Sequence, residues 1–304
     1  MGGIDKFSIC RHFHVPLPRH YFIAMPFLWV FLRLIRYPNL LMIALTQWVA
    51  RYFVVGDSAG PILTDLSMWL IMASTLCIAA AGYIINDYFD VKIDRVNKPN
   101  EVIIGRYMKR RWAIVFHQTL SLLGMLFGFF VHWKVFLINT IAVGLLWLYA
   151  ERFKRQAVVG NVVVSGLTGA ALVVLAVFYD HHDKILNIYA VFAFFISLIR
   201  EIIKDMEDVK GDQKFGCQTL PILLGIHKTK QIVWVLMVSF AGIVLSMGWA
   251  LQNPMLMWIY FLLGIPVLYV AIQLIRADRP AHFAHLSWLC KIIMLCGITS
   301  LAVV

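Results

Sequence analysis

Charged residues are scarce in this sequence. Asp, Glu, Lys and Arg make up 14% of its 304 residues, whereas hydrophobic residues make up 61%. Because about a quarter of the residues in a soluble globular domain are charged, this composition excludes an ordinary soluble protein. The five cysteines are scattered without the spacing of a zinc site or a disulfide framework. The ten histidines also lack metal-ligand spacing.

The hydrophobic residues are gathered in nine long blocks. Most hold roughly 18 to 24 residues, the length that a helix needs to cross about 30 Å of hydrocarbon. The apolar residues are continuous rather than alternating, which disfavours strands. We therefore predict an all-α, polytopic membrane protein with nine transmembrane helices. The blocks are Tyr37–Val55, Leu66–Ile85, Trp112–Val131, Val135–Tyr149, Val158–Phe178, Ile185–Ile203, Ile232–Leu251, Pro254–Ile275 and Phe283–Val304.

The sequence before the first block divides into two parts. The apolar segment Tyr21–Leu34 is interpreted as a helix near the membrane interface, although it could also extend the first span. Residues 1–20 are charged and lack the apolar core of a signal peptide, so we expect an N-terminal tail. The rest, residues 21–304, is predicted to form a single transmembrane domain.

Basic residues are distributed unevenly between the two predicted sides of the membrane. Of the 27 Lys and Arg residues, 23 lie on the side of the N-terminus and three on the opposite side. Because Lys and Arg mark cytoplasmic loops, we expect a cytoplasmic N-terminus and a multi-pass protein of the cell membrane. The net charge of +11 largely follows from this bias, so it requires no nucleic-acid partner.

The few acidic residues recur in one pattern. Asp87–Asp94 reads DYFDVKID and Asp205–Asp212 reads DMEDVKGD, and both fit D-x-x-D-V-K-x-D. The copies follow the second and sixth blocks, on the predicted cytoplasmic side. Two matched copies at equivalent positions favour an internal duplication of a helical unit.

The spacing within each motif predicts an acidic ridge. Positions i, i+3 and i+7 of a helix lie within roughly 60° of one another, so the aspartates would share one face if the spans continue through the motifs. Gly211 could end the second helix early. Facing carboxylates repel unless cations lie between them, and Mg²⁺ prefers oxygen ligands and often binds substrate phosphates. The aspartates are Asp87, Asp90, Asp94, Asp205, Asp208 and Asp212.

Basic residues near both motifs and after the fourth block could neutralise a diphosphate. Arginine in particular makes bidentate contacts with phosphate. Taken singly, each is typical of the cytoplasmic side of a membrane protein. Taken together they favour an anion site over a solvated loop. The predicted diphosphate-binding residues are Lys92, Arg95, Arg106, Lys154, Lys204 and Lys210.

The segment Asn86–Asp94, NDYFDVKID, resembles the NDxxDxxxD signature of the UbiA-type intramembrane prenyltransferases. Asp208–Asp212, DVKGD, is similar to their second signature, DxxxD, and Arg36–Asn39 resembles the R-x-x-N sequence at the start of their first span. The resemblance covers nearly the whole chain beyond the first twenty residues. It implies a helical bundle around a central cavity, in which Mg²⁺ holds an isoprenyl diphosphate for transfer of its chain to an acceptor.

The resemblance also implies roles for individual residues. Asp87 and Asp205 are candidate bases outside the metal ligands, and Tyr149 is an aromatic candidate for stabilising an allylic cation. Arg36 and Asn39 are candidate acceptor-binding residues, although Asn39 could instead form a hydrogen bond between helices. The implied metal ligands are Asn86, Asp90, Asp94, Asp208 and Asp212.

The acceptor is less closely defined. Many family members carry an R-P-x-x-S-G run after the first signature, but NKPNEVIIGR here lacks the serine. The stretch Arg200–Gly225 is most similar to the branch that alkylates geranylgeranylglyceryl phosphate, and to bacterial relatives of that branch. We therefore expect a lipid acceptor. Because both motifs lie on the predicted cytoplasmic side, we expect the active site to open toward the cytoplasm. The alternative acceptor is an aromatic quinone precursor such as 4-hydroxybenzoate, dihydroxynaphthoate or homogentisate.

Transporters and CDP-alcohol phosphotransferases are the alternatives from other classes of membrane protein. Transporters also contain repeats and intramembrane carboxylates, but their coupling residues lie near the midplane, where these spans lack Asp and Glu. A CDP-alcohol phosphotransferase would carry a D-G-x-x-A-R signature, which is absent. The acidic motifs therefore favour a prenyltransferase over both.

Overall fold

The computed structural model describes residues 27–56, 60–179, 184–250 and 254–303. Within these ranges the chain is almost entirely helical, as predicted, and forms no β-strand beyond isolated bridges. The predicted tail, residues 1–20, and residues 21–26 of the next segment lie outside the described residues. The α-helices are α1 Phe27–Leu34, α2 Tyr37–Val49, α3 Leu66–Asn97, α4 Arg110–Val131, α5 Trp133–Glu151, α6 Val159–Phe178, α7 Lys184–Lys214, α8 Leu220–Ala250, α9 Pro254–Arg276 and α10 Pro280–Ser300.

The described helices match the predicted spans. Eight of them are long and apolar enough to cross a membrane. A π-helical turn, Ala50–Val55, extends α2, and α1 with this extended α2 forms a pair bent by 60° that would make the ninth span. The bend lies at Arg36, whose φ of 52° is left-handed. Pro38 in the first turn of α2 fits there, because its missing N–H would have no helical partner.

The helices that carry the motifs extend beyond the apolar blocks. Both acidic motifs lie within α3 and α7, and Gly211 does not end α7. Gly216 follows the end of α7 with a left-handed φ of 72°, a conformation common after helix ends. At α8 the predicted start, Ile232, is late, because the helix begins at Leu220 and kinks at Gly225. Apolar length defines the part of a helix that lipid can surround, not the point where the helix ends.

The two motif helices are neighbours in the bundle. α3 packs against α4, α5 and α7, and α7 packs against α6, α8 and α10. Small residues allow this close packing, as is typical of membrane helices. At Gly297 of α10, for example, a Cβ would lie only 2.4 Å from the ring of Phe192 on α7. The end of the bundle where α3, α5 and α7 terminate is called the motif end below.

A buried ion pair joins the elements at the opposite end. The side chains of Arg51 and Asp65 are 1% and 9% exposed, and Nε lies 2.9 Å from Oδ2. Arg51 also donates to the carbonyls of Gly56 and Gly60, and the hydroxyl of Tyr179 donates to Asp65 at 2.6 Å. Burial opposes ionisation of Asp65, but the hydrogen bonds that it accepts hold its pKa below the usual range. These contacts connect the π-helical extension of α2 with the start of α3 and the end of α6.

We expect Asp65→Asn to lower the free energy of unfolding by about 3–5 kcal/mol, because the buried guanidinium loses its countercharge. Unfolding of the purified protein in detergent measures this change. Asp278→Asn is the matched control, since Asp278 is 81% exposed in its pair with Lys230 and exposed pairs contribute about 0–1 kcal/mol. Equal stability of the two variants would contradict the structural role of the buried pair.

Candidate active site

One side chain joins the ends of the two motif helices. Asn97, the last residue of α3, donates from Nδ2 to the carbonyl of Asp208 at 3.0 Å. Its Oδ1 accepts the backbone N–H of Gly211 at 2.8 Å. A Cβ at Gly211 would lie 2.5 Å from Nδ2 of Asn97, so this close approach requires glycine. The contact brings together two motifs that are far apart in sequence.

The carboxylates of the two motifs act on one another through space. The charges that influence Asp212 on α7 include those of Lys154, Asp208 and Lys204, and that of Asp90 on α3. Asp90 is buried, and Asp94 is half-buried one turn further along α3. Because these carboxylates carry the same charge and repel one another, cations placed among them stabilise the arrangement.

Lys154 supplies one of these cations. It lies in the 3₁₀ turn Phe153–Arg155 after α5, and its Nζ contacts Oδ2 of Asp90. Burial disfavours the charged ammonium, but attraction to Asp90 outweighs it and raises the pKa of Lys154 above the usual range. The turn is fixed by the N–H of Gln218, which donates to the carbonyl of Arg155 at 2.8 Å. The predicted basic residue after the fourth block therefore does meet the first motif.

Lys98 supplies a second cation between the motifs. Its Nζ lies 2.8 Å from Oε1 of Glu207 and 3.5 Å from Oδ1 of Asp208. Burial opposes the charge of Lys98, but Asp208 and Glu207 raise its pKa overall. Since Lys98 directly follows α3, a cation beside the first motif pairs with carboxylates of the second.

The two aspartates predicted as bases are both hydrogen-bonded. Arg36 donates from Nη2 to Oδ1 of Asp87 at 2.8 Å, and its guanidinium lies 5.0 Å from the centre of the Tyr83 ring. Asp205 accepts a hydrogen bond at 2.8 Å from Nδ2 of Asn161 on α6. Asn161 is buried and was not predicted from the sequence. The available signal was an amide near the start of an apolar span, where polar residues face the bundle interior.

Four predicted diphosphate-binding residues lie exposed at the motif end. Arg106 packs over the ring of Tyr107 at 5.2 Å. Among the described residues, none of the four forms an ion pair, so the structure does not bring them into contact with the motif carboxylates. Their role in diphosphate binding stays a prediction. They are Lys92, Arg95, Arg106 and Lys210.

A cavity of about 280 Å³, called the chamber below, runs from the motif end into the bundle. Asn86, Tyr149 and Lys204 line its mouth, and Tyr189 and Leu301 line its far end. Lys204 and Tyr189 are about 22 Å apart along α7. The wall between them is mostly apolar. The chamber therefore suits a long apolar chain whose polar end lies beside the motifs.

The mouth of the chamber also contains three charged residues that were not among the predicted site residues, Arg200 and Glu201 of α7 and Lys291 of α10. The predicted Arg36 lines the mouth beside them. Lys291 donates from Nζ to Oδ1 of Asn39 at 3.2 Å, so Asn39 both lines the chamber and bonds α2 to α10. The sequence signal for Lys291 was a charge inside an apolar span, which marks a functional position by default.

The oxygen atoms of the motifs fit a divalent cation. Oδ1 of Asn86 is buried without a hydrogen-bond partner, one helical turn from Asp90. Such hard oxygen donors suit Mg²⁺, which takes further ligands from water and phosphate. Over the described ranges, no three carboxylate, imidazole or thiolate side chains converge closely enough to hold a metal by themselves. The donors therefore fit an ion that shares its coordination with a bound phosphate.

Comparison with known proteins gives consistent matches. Residues 40–290 match the family model described as the UbiA prenyltransferase family. The digeranylgeranylglyceryl phosphate synthase of Sulfurisphaera tokodaii is 30% identical over 254 residues, covering 82% of this chain and 88% of that protein. A structure described under "biosynthesis of Digeranylgeranylglyceryl phosphate synthase in membranes" has a TM-score of 0.71 and 26% identity, covering 91% of this chain and 97% of that one. A UbiA homolog from Archaeoglobus fulgidus, bound to DMAPP and Mg²⁺, shares the fold with a TM-score of 0.66 and 18% identity, covering 90% and 99%.

We expect Gly211→Ala to weaken divalent-cation binding by about 10- to 100-fold, the usual effect of disturbing residues that orient ligands. The added methyl group would displace Asn97 and separate the two motifs. Titration calorimetry of the purified protein with Mg²⁺ or Mn²⁺ measures the affinity. Gly144→Ala on α5 is the matched control, because a Cβ there meets nothing within 4 Å. Equal affinities in the two variants would show that this junction does not position the carboxylates.

Proposed function

Because the chain belongs to the UbiA prenyltransferase family, we propose that it transfers a geranylgeranyl group from geranylgeranyl diphosphate to geranylgeranylglyceryl phosphate. Relatives named digeranylgeranylglyceryl phosphate synthase support this acceptor, and the segment Arg200–Gly225 favours the same branch. The observation that carries the proposal is the long apolar chamber, whose mouth lies beside two joined acidic motifs.

The family assignment decides between the classes that the sequence left open. The chain is a multi-pass membrane protein and a prenyltransferase, which favours an enzyme over a transporter or a CDP-alcohol phosphotransferase. An aromatic quinone precursor is the alternative acceptor within the family. The names of the relatives favour the lipid acceptor over it.

We propose that the carboxylates of α3 and α7 hold Mg²⁺ jointly with the donor diphosphate. When bound, Mg²⁺ would stabilise the negative charge that develops on the diphosphate as its bond to carbon breaks. The ammonium groups of Lys154 and Lys204 lie where they would contribute to the same stabilisation. The proposed ligands are Asn86, Asp90, Asp94, Asp208 and Asp212.

The proposed reaction breaks one C–O bond and forms another. The diphosphate leaves with the bonding electron pair, and the allylic cation needs an environment that excludes water. The rings of Tyr83 and Tyr149 line the chamber and can stabilise a nearby positive charge. The acceptor hydroxyl then bonds to the allylic carbon and releases its proton to a carboxylate. Among the described residues Glu201 lines the chamber, whereas Asp87 and Asp205 do not, so Glu201 joins them as a candidate base.

Turnover by the purified protein tests the proposal directly. Radiolabelled geranylgeranyl diphosphate is offered with geranylgeranylglyceryl phosphate and with aromatic quinone precursors in separate reactions. We expect label in the ether lipid, because the names of the relatives and the segment Arg200–Gly225 favour that acceptor. Label in a quinone precursor alone would contradict the proposed acceptor while leaving prenyl transfer intact.

We expect Asp90→Asn and Asp208→Asn each to lower kcat/KM by about 100-fold or more, because each removes a carboxylate that would hold the Mg²⁺ needed to stabilise the leaving diphosphate. Steady-state kinetics at saturating Mg²⁺ measures the loss, and circular dichroism in detergent checks that the variants remain folded. Asp278→Asn changes an exposed aspartate in the same way and should leave kcat/KM unchanged. Full activity in both motif variants would remove the metal assignment.

We also propose that the motif end faces the cytoplasm of the cell membrane and that residues 21–304 form a single domain. The excess of Lys and Arg at the motif end supports this orientation. It would give the active site access to diphosphates on the cytoplasmic side. Residues 1–20 stay predicted as a tail.

Cysteine labelling tests this orientation. Lys134→Cys and Lys214→Cys place single thiols at exposed positions of opposite ends, in a chain whose five native cysteines are replaced by serine. In intact cells a membrane-impermeant maleimide should label the first variant and spare the second. Labelling of Lys214→Cys with protection of Lys134→Cys would reverse the proposed orientation.

A further inference from the structure

We propose that Lys291 and Arg200, together with Asn39, form an anion site in the chamber mouth that binds the phosphate monoester of the acceptor. This site is distinct from the one proposed for the donor diphosphate at the acidic motifs. The inference rests on the proposed function for the identity of the acceptor. The inference that the site binds an anion rests on the contacts of Lys291 and Arg200.

Burial makes unpaired charge costly for these residues. Lys291 is half-buried and lies about 16 Å along α10 from Pro280. Arg200 lies one helical turn from Lys204 along α7, and its side chain is 18% exposed. Both line the chamber. Basic side chains within apolar spans usually pair with an opposite charge or mark a substrate site.

Lys291 lacks an opposite charge of its own. The charges that act on it include those of Arg200, Arg36 and Lys204, all of its own sign, and that of Glu201. Glu201 contacts Arg200, so within the described ranges Lys291 has no ion pair. Its one hydrogen bond in the mouth is to the neutral amide of Asn39. Repulsion among these cations would be relieved by an anion held between them.

Arg200 has an unused donor at the same place. Its Nη1 contacts Glu201, but its Nε–H is buried and has no hydrogen-bond partner. A buried donor left without a partner is unfavourable. Phosphate oxygens accept several charge-assisted hydrogen bonds at once, so one phosphate could serve both Arg200 and Lys291.

The position separates this site from the acidic motifs. Arg200 and Asp208 lie about 12 Å apart along α7. Arg200 and Lys291 line the chamber, whereas Asp90, Asp208 and Lys154 do not. A donor diphosphate at the motifs and an acceptor phosphate at Lys291 would therefore occupy different places. The allylic carbon and the acceptor hydroxyl could meet between the two anions.

The number of hydrogen-bond donors favours a phosphate over a carboxylate. Glu201 already pairs with Arg200, but the ammonium of Lys291 and the free Nε–H of Arg200 still offer several donors. A phosphate monoester presents three strong acceptor oxygens, whereas the carboxylate of an aromatic acceptor presents two. The site thus supplies a physical reason for the enzyme to prefer a phosphate-bearing lipid.

Kinetics of the full chain in lipid nanodiscs tests the site. Lys291→Met keeps the length of the side chain and removes its charge. It should raise KM for geranylgeranylglyceryl phosphate about tenfold or more and leave KM for geranylgeranyl diphosphate unchanged. Lys291→Arg should restore most of the affinity. The control Lys134→Met, at an exposed lysine, should change neither constant. An unchanged acceptor KM, or an equal rise in the donor KM, would overturn the proposal.

The phosphate itself is tested with geranylgeranylglycerol, the acceptor that lacks it. The wild type should prefer the phosphate-bearing acceptor in kcat/KM, and Lys291→Met should lose most of that preference. A variant that keeps the full preference would show that Lys291 does not contact the phosphate.

Binding without catalysis separates failure of the site from failure of the proposed function. Dodecyl phosphate should raise the Tm of the wild type more than that of Lys291→Met, and dodecanol should affect both equally. This outcome supports the anion site whether or not the wild type alkylates geranylgeranylglyceryl phosphate. If it does not, the proposed function is wrong but the anion site stands. Equal stabilisation of both proteins by dodecyl phosphate would overturn the site.

Discussion

Repulsion between carboxylates at the edge of an apolar bundle is the constraint on which the site depends. α3 and α7 each carry an acidic ridge, and the amide of Asn97 holds the ridges side by side. Such an arrangement is stable only if positive charge lies between the ridges. Lys154 and Lys98 provide part of that charge. Divalent ions bound by the carboxylates could supply the remaining positive charge. The buried Oδ1 of Asn86, which has no hydrogen-bond partner, could serve as a further oxygen ligand for such an ion.

The position of the ridges at the mouth of an apolar chamber explains why this chemistry belongs in a membrane. An isoprenyl diphosphate joins a strongly charged head to a chain that is as apolar as lipid. The motif end suits the head, and the chamber between α2, α3, α5, α6, α7 and α10 suits the chain. We propose that Lys291 and Arg200 bind the charged group of the acceptor, which needs a partner separate from that of the donor. Two anions held apart would leave the reacting atoms between them in a space protected from water.

Local sequence properties predicted the spans and the motif helices. The length of an apolar block depends on the lipid thickness, and the spacing of the aspartates requires only a continuing helix. Helix ends were harder to predict, as the early start of α8 at Leu220 shows, because they depend on turns outside the apolar block. Asn97, Asn161 and Lys291 find partners on other helices, and those partners follow from helix rotation and packing. A polar residue in an apolar span signals that a partner exists but does not identify it.

Shared binding of divalent ions by carboxylates of α3 and α7 is the proposal that most needs a direct test. Anomalous diffraction from crystals grown with Mn²⁺ and a non-hydrolysable donor analogue would locate the metal. We expect metal peaks at the motif end with oxygen ligands from both helices, at about 2.0–2.3 Å. Metal bound by one helix alone, or no metal between Asp90 and Asp208, would show that the two helices do not share the ions.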